Sequence, residues 1–359
     1  MQRRLYEIDL FRFIAAFGVV LYHYTFRGYA AEDMSPLSFP ALSQIFKYGY
    51  LGVDLFFMIS GFVILMTAFN KNLVGFIISR IVRLYPAFWV GVTLTTVVTL
   101  CIGAPKFSVN AGQYITNMTM LSGYFNIKHI DDVYWSLLVE LRFYFLIFII
   151  IAANKLKYID YILGAWLAIT IITLTFGIPR IVQALLFPTW SPYFIAGAMF
   201  YLIRKEGISA YKIMVIAISY LLSIKCALFR VQFVEKYFRT DFSEFAIACT
   251  IFVFFITFLL MSIGKTAWLS NKKLLTIGAL TYPLYLIHGN IGFMIFNRYQ
   301  DAANKYFILT STIVCVLILS YTVNKYIETT VSGVMNNYLH IFAKFISWKK
   351  FKYQYQKLK

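Results

Sequence analysis

The residues with chemistry to offer sit inside stretches that are otherwise apolar. Arg12 and His23 lie eleven residues apart in one such run. Eleven residues make about three helical turns, so in a helix both side chains share one face, ~16 Å apart along the axis. That face carries a fixed cation towards one end and a possible general base near the other. The competing reading is that Arg12 snorkels to headgroups and His23 hydrogen-bonds a neighbouring helix. Arg80 and Arg83, at i and i+3, share a helical face. They offer two forked guanidiniums suited to phosphate, or simple anchoring at a membrane boundary. Glu140 lies six residues past Tyr134, ~9 Å into its run. A buried carboxylate near the depth of His23 can orient the ring and stabilise its charged form. The alternative is a structural ion pair with Arg142 or Arg12. Asp54 has Arg12 and His23 as candidate partners, or a packing role, and Ser60 and Gly61 after it permit close helix contact. His288 lies mid-run in Tyr282-Pro-Leu-Tyr-Leu-Ile-His288, where an interhelical hydrogen bond is expected before catalysis.

Composition places these residues in a membrane, where ionisable groups are expensive and therefore functional candidates. Of 359 residues, 60% are hydrophobic and 13% charged, and mean hydropathy is +0.72. A soluble domain is about half apolar and about a quarter charged. At about 20 apolar residues per span, the chain divides into runs at 5–25, 49–69, 84–102, 134–152, 159–176, 190–203, 211–229, 242–263, 275–296 and 307–327. The sixth is short, and 181–187 either extends it or re-enters. The expected fold is all-α, a polytopic transmembrane bundle of about ten spans with both termini on one side. Residues 1–330 form the membrane domain, and 331–359 a basic-aromatic tail expected as an amphipathic helix on the membrane surface.

Basic residues are in excess on the side that holds Arg3, Arg4, Lys71, Arg80, Arg83, Lys155, Lys157, Arg204, Lys205, Lys212, Lys265, Lys272 and Lys273. The same side takes Lys344, Lys349, Lys350, Lys352, Lys357 and Lys359, which marks it as cytoplasmic. The opening Met-Gln-Arg-Arg and apolar run imitate a signal peptide. Asp9 and Arg12 interrupt that run and no cleavage motif follows, so an uncleaved first span is expected. The net charge of +18 fits membrane topology and anionic headgroups. Nucleic acid has only that charge in its favour. Cys101, Cys226, Cys249 and Cys315 form no CxxC pair and are expected as small buried thiols, with no metal site.

Six segments stand in order along the chain: Ile8-Asp-Leu-Phe-Arg12 with ten residues to His23, Gly52-Val-Asp54-Leu-Phe-Phe, Arg80-Ile-Val-Arg83-Leu-Tyr85-Pro, Trp135-Ser136-Leu-Leu-Val-Glu140, Tyr282-Pro-Leu-Tyr-Leu-Ile-His288, and Glu328 after the last run. Each is weak alone; together they cover nearly the whole chain. With them the sequence resembles the acyltransferase-3 family of integral membrane acyltransferases, which modify bacterial surface glycans. The resemblance implies ten helices with cytoplasmic ends in the bacterial cytoplasmic (inner) membrane, and no bound cofactor. It implies an acyl-CoA donor, usually acetyl-CoA, reached from the cytoplasm. The acceptor is a sugar hydroxyl of lipopolysaccharide O-antigen, exopolysaccharide, peptidoglycan or a lipid-linked precursor. By position, Arg12 and His23 match the family's Arg-x10-His element, and Arg80 and Arg83 its Arg-x-x-Arg element. The family often has two acids where this chain has Glu140 and then Leu141. There is no fused extracytoplasmic hydrolase-like domain, so transfer is expected to finish in this domain or through a separate protein.

Under that resemblance His23, Glu140 and Asp54 are the catalytic candidates, and Arg12, Arg80 and Arg83 the donor-binding ones. Trp135, Ser136, Tyr85, His288 and Glu328 are further candidates. His23 acts as general base towards the acceptor hydroxyl, or is transiently acylated. Glu140 or Asp54 orients it, and the bundle excludes water from the thioester. Two other classes remain: a transporter or flippase of a glycan precursor with His23 and Glu140 as a proton relay, and a non-enzymatic partner in glycan assembly. The acyl chain, the acceptor hydroxyl and the oligomeric state are not written in the sequence.

Overall fold

A computed structural model describes residues 5–31, 33–177, 179–301 and 303–357, with side chains described to residue 345. Arg3, Arg4 and the tail lysines from Lys349 onward fall outside it, in whole or by side chain. The described residues contain helices and no strand, as a bilayer-spanning chain with internally satisfied backbone requires.

Nine helices among them are long and apolar enough to cross a membrane: α1 (Tyr6–Ala30), α2 (Pro40–Asn70), α3 (Leu73–Ile102), α4 (Asp132–Ala152), α5 (Leu156–Phe176), α6 (Arg180–Glu206), α7 (Ala210–Phe238), α8 (Glu244–Ser262) and the last, Lys305–Phe345. Between α8 and the last come two shorter helices, α9 (Leu274–Ile287) and α10 (Gly289–Tyr299), bent by 64° at His288; the last is α11. The pair makes one crossing. Gly278 of α9 abuts Asp9 near the start of α1. The side chain of Asn297 in α10 donates to the Met34 carbonyl beyond the far end of α1. The expected ninth span, 275–296, is thus a broken helix, and ten crossings leave both ends of the bundle on one face.

Helix α6 is the core. Every residue from Ser191 to Ile203 is buried, the signature of a helix apolar on all sides and ringed by neighbours. The stretch 181–187 belongs to it, ahead of a turn at Phe187. Against α2 the approach is close enough that a Cβ on Gly197 would collide with the Met58 carbonyl. Small residues allow such backbone contact where lipid supplies no hydrophobic drive.

Several boundaries differ from the periodicity reading: α3 begins at Leu73 rather than at 84, so that Arg80 and Arg83 lie within the helix. Helix α7 continues nine residues beyond 229 to Phe238. Helix α11 runs on past residue 330 through a π-helical turn at Val323–Glu328, and Ser332 Oγ donates to the Val82 carbonyl at 3.1 Å, so the tail begins as an extension of the last span. Among the cysteines only Cys226 is buried; Cys101, Cys249 and Cys315 are exposed on the bundle's outer surface, where the surrounding solvent is lipid and a thiol meets no penalty.

Gly197→Val should lower the detergent-solubilised unfolding midpoint, because overpacking against backbone costs about 1–3 kcal/mol. Gly333→Ala, with nothing within 4 Å of the added carbon, should not; both are read by thermal unfolding of the purified protein.

Candidate active site

Three cavities line up through the bundle. The first, about 890 Å³, lies at one end of the bundle between α1, α2, α6 and the end of α8 and is lined by Arg12, Thr67, Asn70, Lys71 and Arg204. It shares Arg12 and Val63 with a narrow second cavity of about 100 Å³, lined also by Ser60, Arg80, Arg83, Ser136, Glu140 and Tyr144. That one shares Val53 and Tyr285 with a third, of about 250 Å³, which holds His23, Arg27, Tyr50, Asp54, Trp135, Trp190 and Arg230. The partition is fixed in place: the Tyr285 hydroxyl donates to the Val133 carbonyl at 2.9 Å and lies 2.7 Å from Ser136 Oγ.

His23 opens a π-helical turn, His23–Arg27, at the end of the α-helical part of α1, a feature often found at functional sites. Its Nδ1 lies 2.8 Å from the Val19 carbonyl and 3.2 Å from His288 Nε2. His288 Nδ1 in turn lies 2.9 Å from the Tyr285 carbonyl and 3.1 Å from that of Leu284. Carbonyls only accept, so both Nδ1 atoms carry their protons. His288 Nε2 is then an acceptor for His23 Nδ1–H, and His23 Nε2 keeps its lone pair. No hydrogen bond engages that Nε2 among the described residues. The interhelical hydrogen bond expected of His288 exists, and its partner is the candidate base.

The bend in the ninth crossing positions His288, and side chains from other elements satisfy the backbone groups it releases. Tyr24 Oη donates to the His288 carbonyl at 2.7 Å, and Tyr134 Oη to that of Leu286 at 3.2 Å. Asp131 Oδ2 accepts from Asn290 N at 2.8 Å, capping α10 from outside. Gly289 makes room for that carboxylate, since a Cβ there would collide with it.

Neither expected carboxylate engages His23: Glu140 lines a different cavity, and Asp54, which lines the same one, is held by Arg230. Glu140 Oε1 accepts from Ser60 Oγ and from Tyr144 Oη, each at 2.7 Å, in the narrow cavity with Arg12, Arg80 and Arg83. Five residues beyond Trp135, which lines the outer cavity, Glu140 is ~7.5 Å deeper than the histidine level. It forms no ion pair with Arg142 or Arg12 among the described residues; Arg12 pairs with Asp9 at 3.5 Å. Asp54 meets neither Arg12 nor His23 but a bidentate Arg230, at 3.0 and 2.6 Å. Arg230 reads from sequence as a loop cation. The apolar spacing of Val231, Val234 and Phe238, which continues the helix past it, was the signal that would have placed it inside.

The other candidates divide. Arg83 pairs with Glu328 at 2.7 Å, whose other oxygen accepts from Asn324. Arg80 reaches Thr67 Oγ1 at 3.3 Å and lies over the Tyr144 ring, with no carboxylate partner among the described residues. Trp135 and Ser136 line the outer and narrow cavities respectively. Tyr85 takes no part: it faces the connection after α3, donating to the Thr119 carbonyl at 3.2 Å. Arg27 in the outer cavity pairs with Asp132 at 3.1 Å.

Arg230→Met should destabilise the protein by about 3–5 kcal/mol, because it strands a buried carboxylate. Adding Asp54→Asn should recover most of that loss, as read from chemical or thermal unfolding of the single and double variants.

A family model described as an acyltransferase domain, that of the acyltransferase-3 family, matches residues 5–325. No curated protein and no solved structure matches the chain. The match takes in α1 through the first half of α11, with every residue that lines the three cavities, and the chain therefore belongs to the acyltransferase-3 family of membrane acyltransferases.

Proposed function

We propose that the protein is an O-acyltransferase that moves an acyl group, in the simplest case acetyl, from acyl-CoA to a hydroxyl of a cell-surface glycan or its lipid-linked precursor. It works in the bacterial cytoplasmic membrane, with the donor entering from the cytoplasm. The observation that carries this reading is the row of cavities, wide and basic at one end, narrow in the middle, and ending at an unengaged imidazole nitrogen.

The donor's nucleotide end fits the 890 Å³ cavity, whose lining includes Arg12, Lys71 and Arg204. Its pantetheine arm is thin enough for the narrow cavity beyond. Arg80, the guanidinium there without a carboxylate partner among the described residues, is available to a phosphate. Arg83 is already committed to Glu328 and shapes the passage. Glu140, with Tyr144 and Ser60, balances the arginines rather than serving the base.

At the outer end His23 Nε2 takes the proton of the acceptor hydroxyl as its oxygen attacks the thioester carbonyl. The C–O bond forms, the C–S bond breaks, and the proton passes from Nε2 to the departing thiolate. The positive charge that His23 carries in between is stabilised through its Nδ1–H, which faces the Val19 carbonyl and His288 Nε2. His288 thus does the orienting work for which a carboxylate serves in a triad. Enclosure limits hydrolysis of the thioester.

Surface glycan from cells carrying the wild-type gene should show acyl-sized added mass that is absent from a deletion strain and from His23→Ala at equal membrane abundance. His288→Phe keeps a ring but loses the acceptor nitrogen, and should lower kcat by about 100-fold or more. Arg80→Met should raise the KM for acyl-CoA by about tenfold, the value of one charge-assisted contact. Unchanged glycan mass in the deletion strain would move a flippase ahead of the enzyme reading.

A further inference from the structure

Beyond the catalytic pair, the outer cavity carries polar atoms that nothing in the fold uses. Tyr50 Oη, Trp190 Nε1 and Arg230 Nε are buried without a hydrogen-bond partner among the described residues. They come from three helices, α2, α6 and α7, and all three residues line this one cavity. A buried donor with no acceptor is unfavourable and uncommon in folded chains; three from separate elements converging on one space mark a prepared binding surface. His23 lines the same space.

Its shape and charge narrow the ligand. At about 250 Å³ it holds about eight waters at ~30 Å³ each, the size of one sugar ring. Trp135 and Trp190 stand with ring centroids 5.2 Å apart and tilted by 40°, giving an aromatic wall. The Arg230 guanidinium lies 5.9 Å from the Trp190 ring, which holds that wall in place. Both arginines in the cavity are neutralised, Arg230 by Asp54 and Arg27 by Asp132, so the walls offer hydrogen bonds and an apolar face rather than open positive charge. That combination suits a neutral ring whose hydroxyls need donors and whose C–H face needs an aromatic surface.

We infer that the outer cavity is the acceptor subsite for a single neutral pyranose ring, with Tyr50, Trp190 and Arg230 donating to its hydroxyls and Trp135 packing its face, so that one ring hydroxyl meets His23. The inference rests on the acyl-transfer reading above and adds the residues that select the acceptor. Tyr50→Phe is its cleanest probe, because the hydroxyl removed has no partner in the fold and its loss leaves the packed ring in place.

The test uses the full chain in lipid nanodiscs with radiolabelled acetyl-CoA and alkali-deacylated surface glycan from the source cell. Tyr50→Phe and Trp190→Phe should each raise the KM for glycan by about tenfold, the value of one lost hydrogen bond. The change should be confined to that constant in Tyr50→Phe, with its unfolding midpoint held, and the KM for acetyl-CoA should hold in both variants. If both variants match wild type in every constant, these groups serve only water and the inference is overturned. If the KM for acetyl-CoA rises instead, the cavity belongs to the donor and the inference is equally overturned. If the wild-type protein itself transfers no label to glycan, the acyl-transfer reading fails and takes the subsite with it.

Discussion

A membrane interior offers an unpaired backbone group no water, so a helix broken there stands only if other side chains replace the hydrogen bonds it has lost. The junction between α9 and α10 meets that condition with Tyr24 from α1 and with Tyr134 and Asp131 from the entry to α4. The bend holds His288 against His23, and that contact settles which nitrogen of His23 is free. Tyr285, one turn before the break, forms part of the wall between the narrow and outer cavities. The site, its tautomers and its partition therefore share one cause: three side chains that make a broken span tolerable.

Charge is handled by the same rule of local satisfaction. An ion buried away from water is retained only when paired and hydrogen-bonded, and the arginines of the bundle are distributed accordingly. Arg12, Arg27, Arg83 and Arg230 each face a carboxylate, from Asp9, Asp132, Glu328 and Asp54. Arg80 instead lies over Tyr144, whose hydroxyl leads on to Glu140. The chain thus holds one loosely compensated cation in the passage expected to receive phosphate, and closed pairs where the acceptor is expected.

Much of this was legible in the residues. Ionisable groups inside apolar runs are rare enough that Arg12, His23, Arg80, Arg83, Glu140 and His288 stood out by type and place, and all six line the cavities or touch a residue that does. Hydropathy counted the crossings, because length and apolarity alone decide what can span. It could not see the break at His288, since the residues around it are as apolar as an unbroken helix and the compensating hydroxyls are remote in sequence. Depth counting failed for Glu140 because it located both groups from run boundaries that were uncertain by a turn. Arg230 was lost for a related reason: the run appeared to stop at 229, while an amphipathic pattern carried the helix nine residues further.

The wall shared by the narrow and outer cavities has an electrical consequence. Val53 and Tyr285 line both cavities, so one layer of side chains separates them. In a polarised membrane a low-dielectric wall of this kind carries a steep share of the voltage wherever ligand or water fills the space on either side, and a charge moved through the full potential gains or loses about 2.3 kcal/mol per 100 mV. An acyl group is uncharged and crosses this field without penalty, whereas a proton or a phosphate does not. On the proposed reaction, the wall that lies between the donor's path and His23 is also the part of the bundle that opposes passage of an ion.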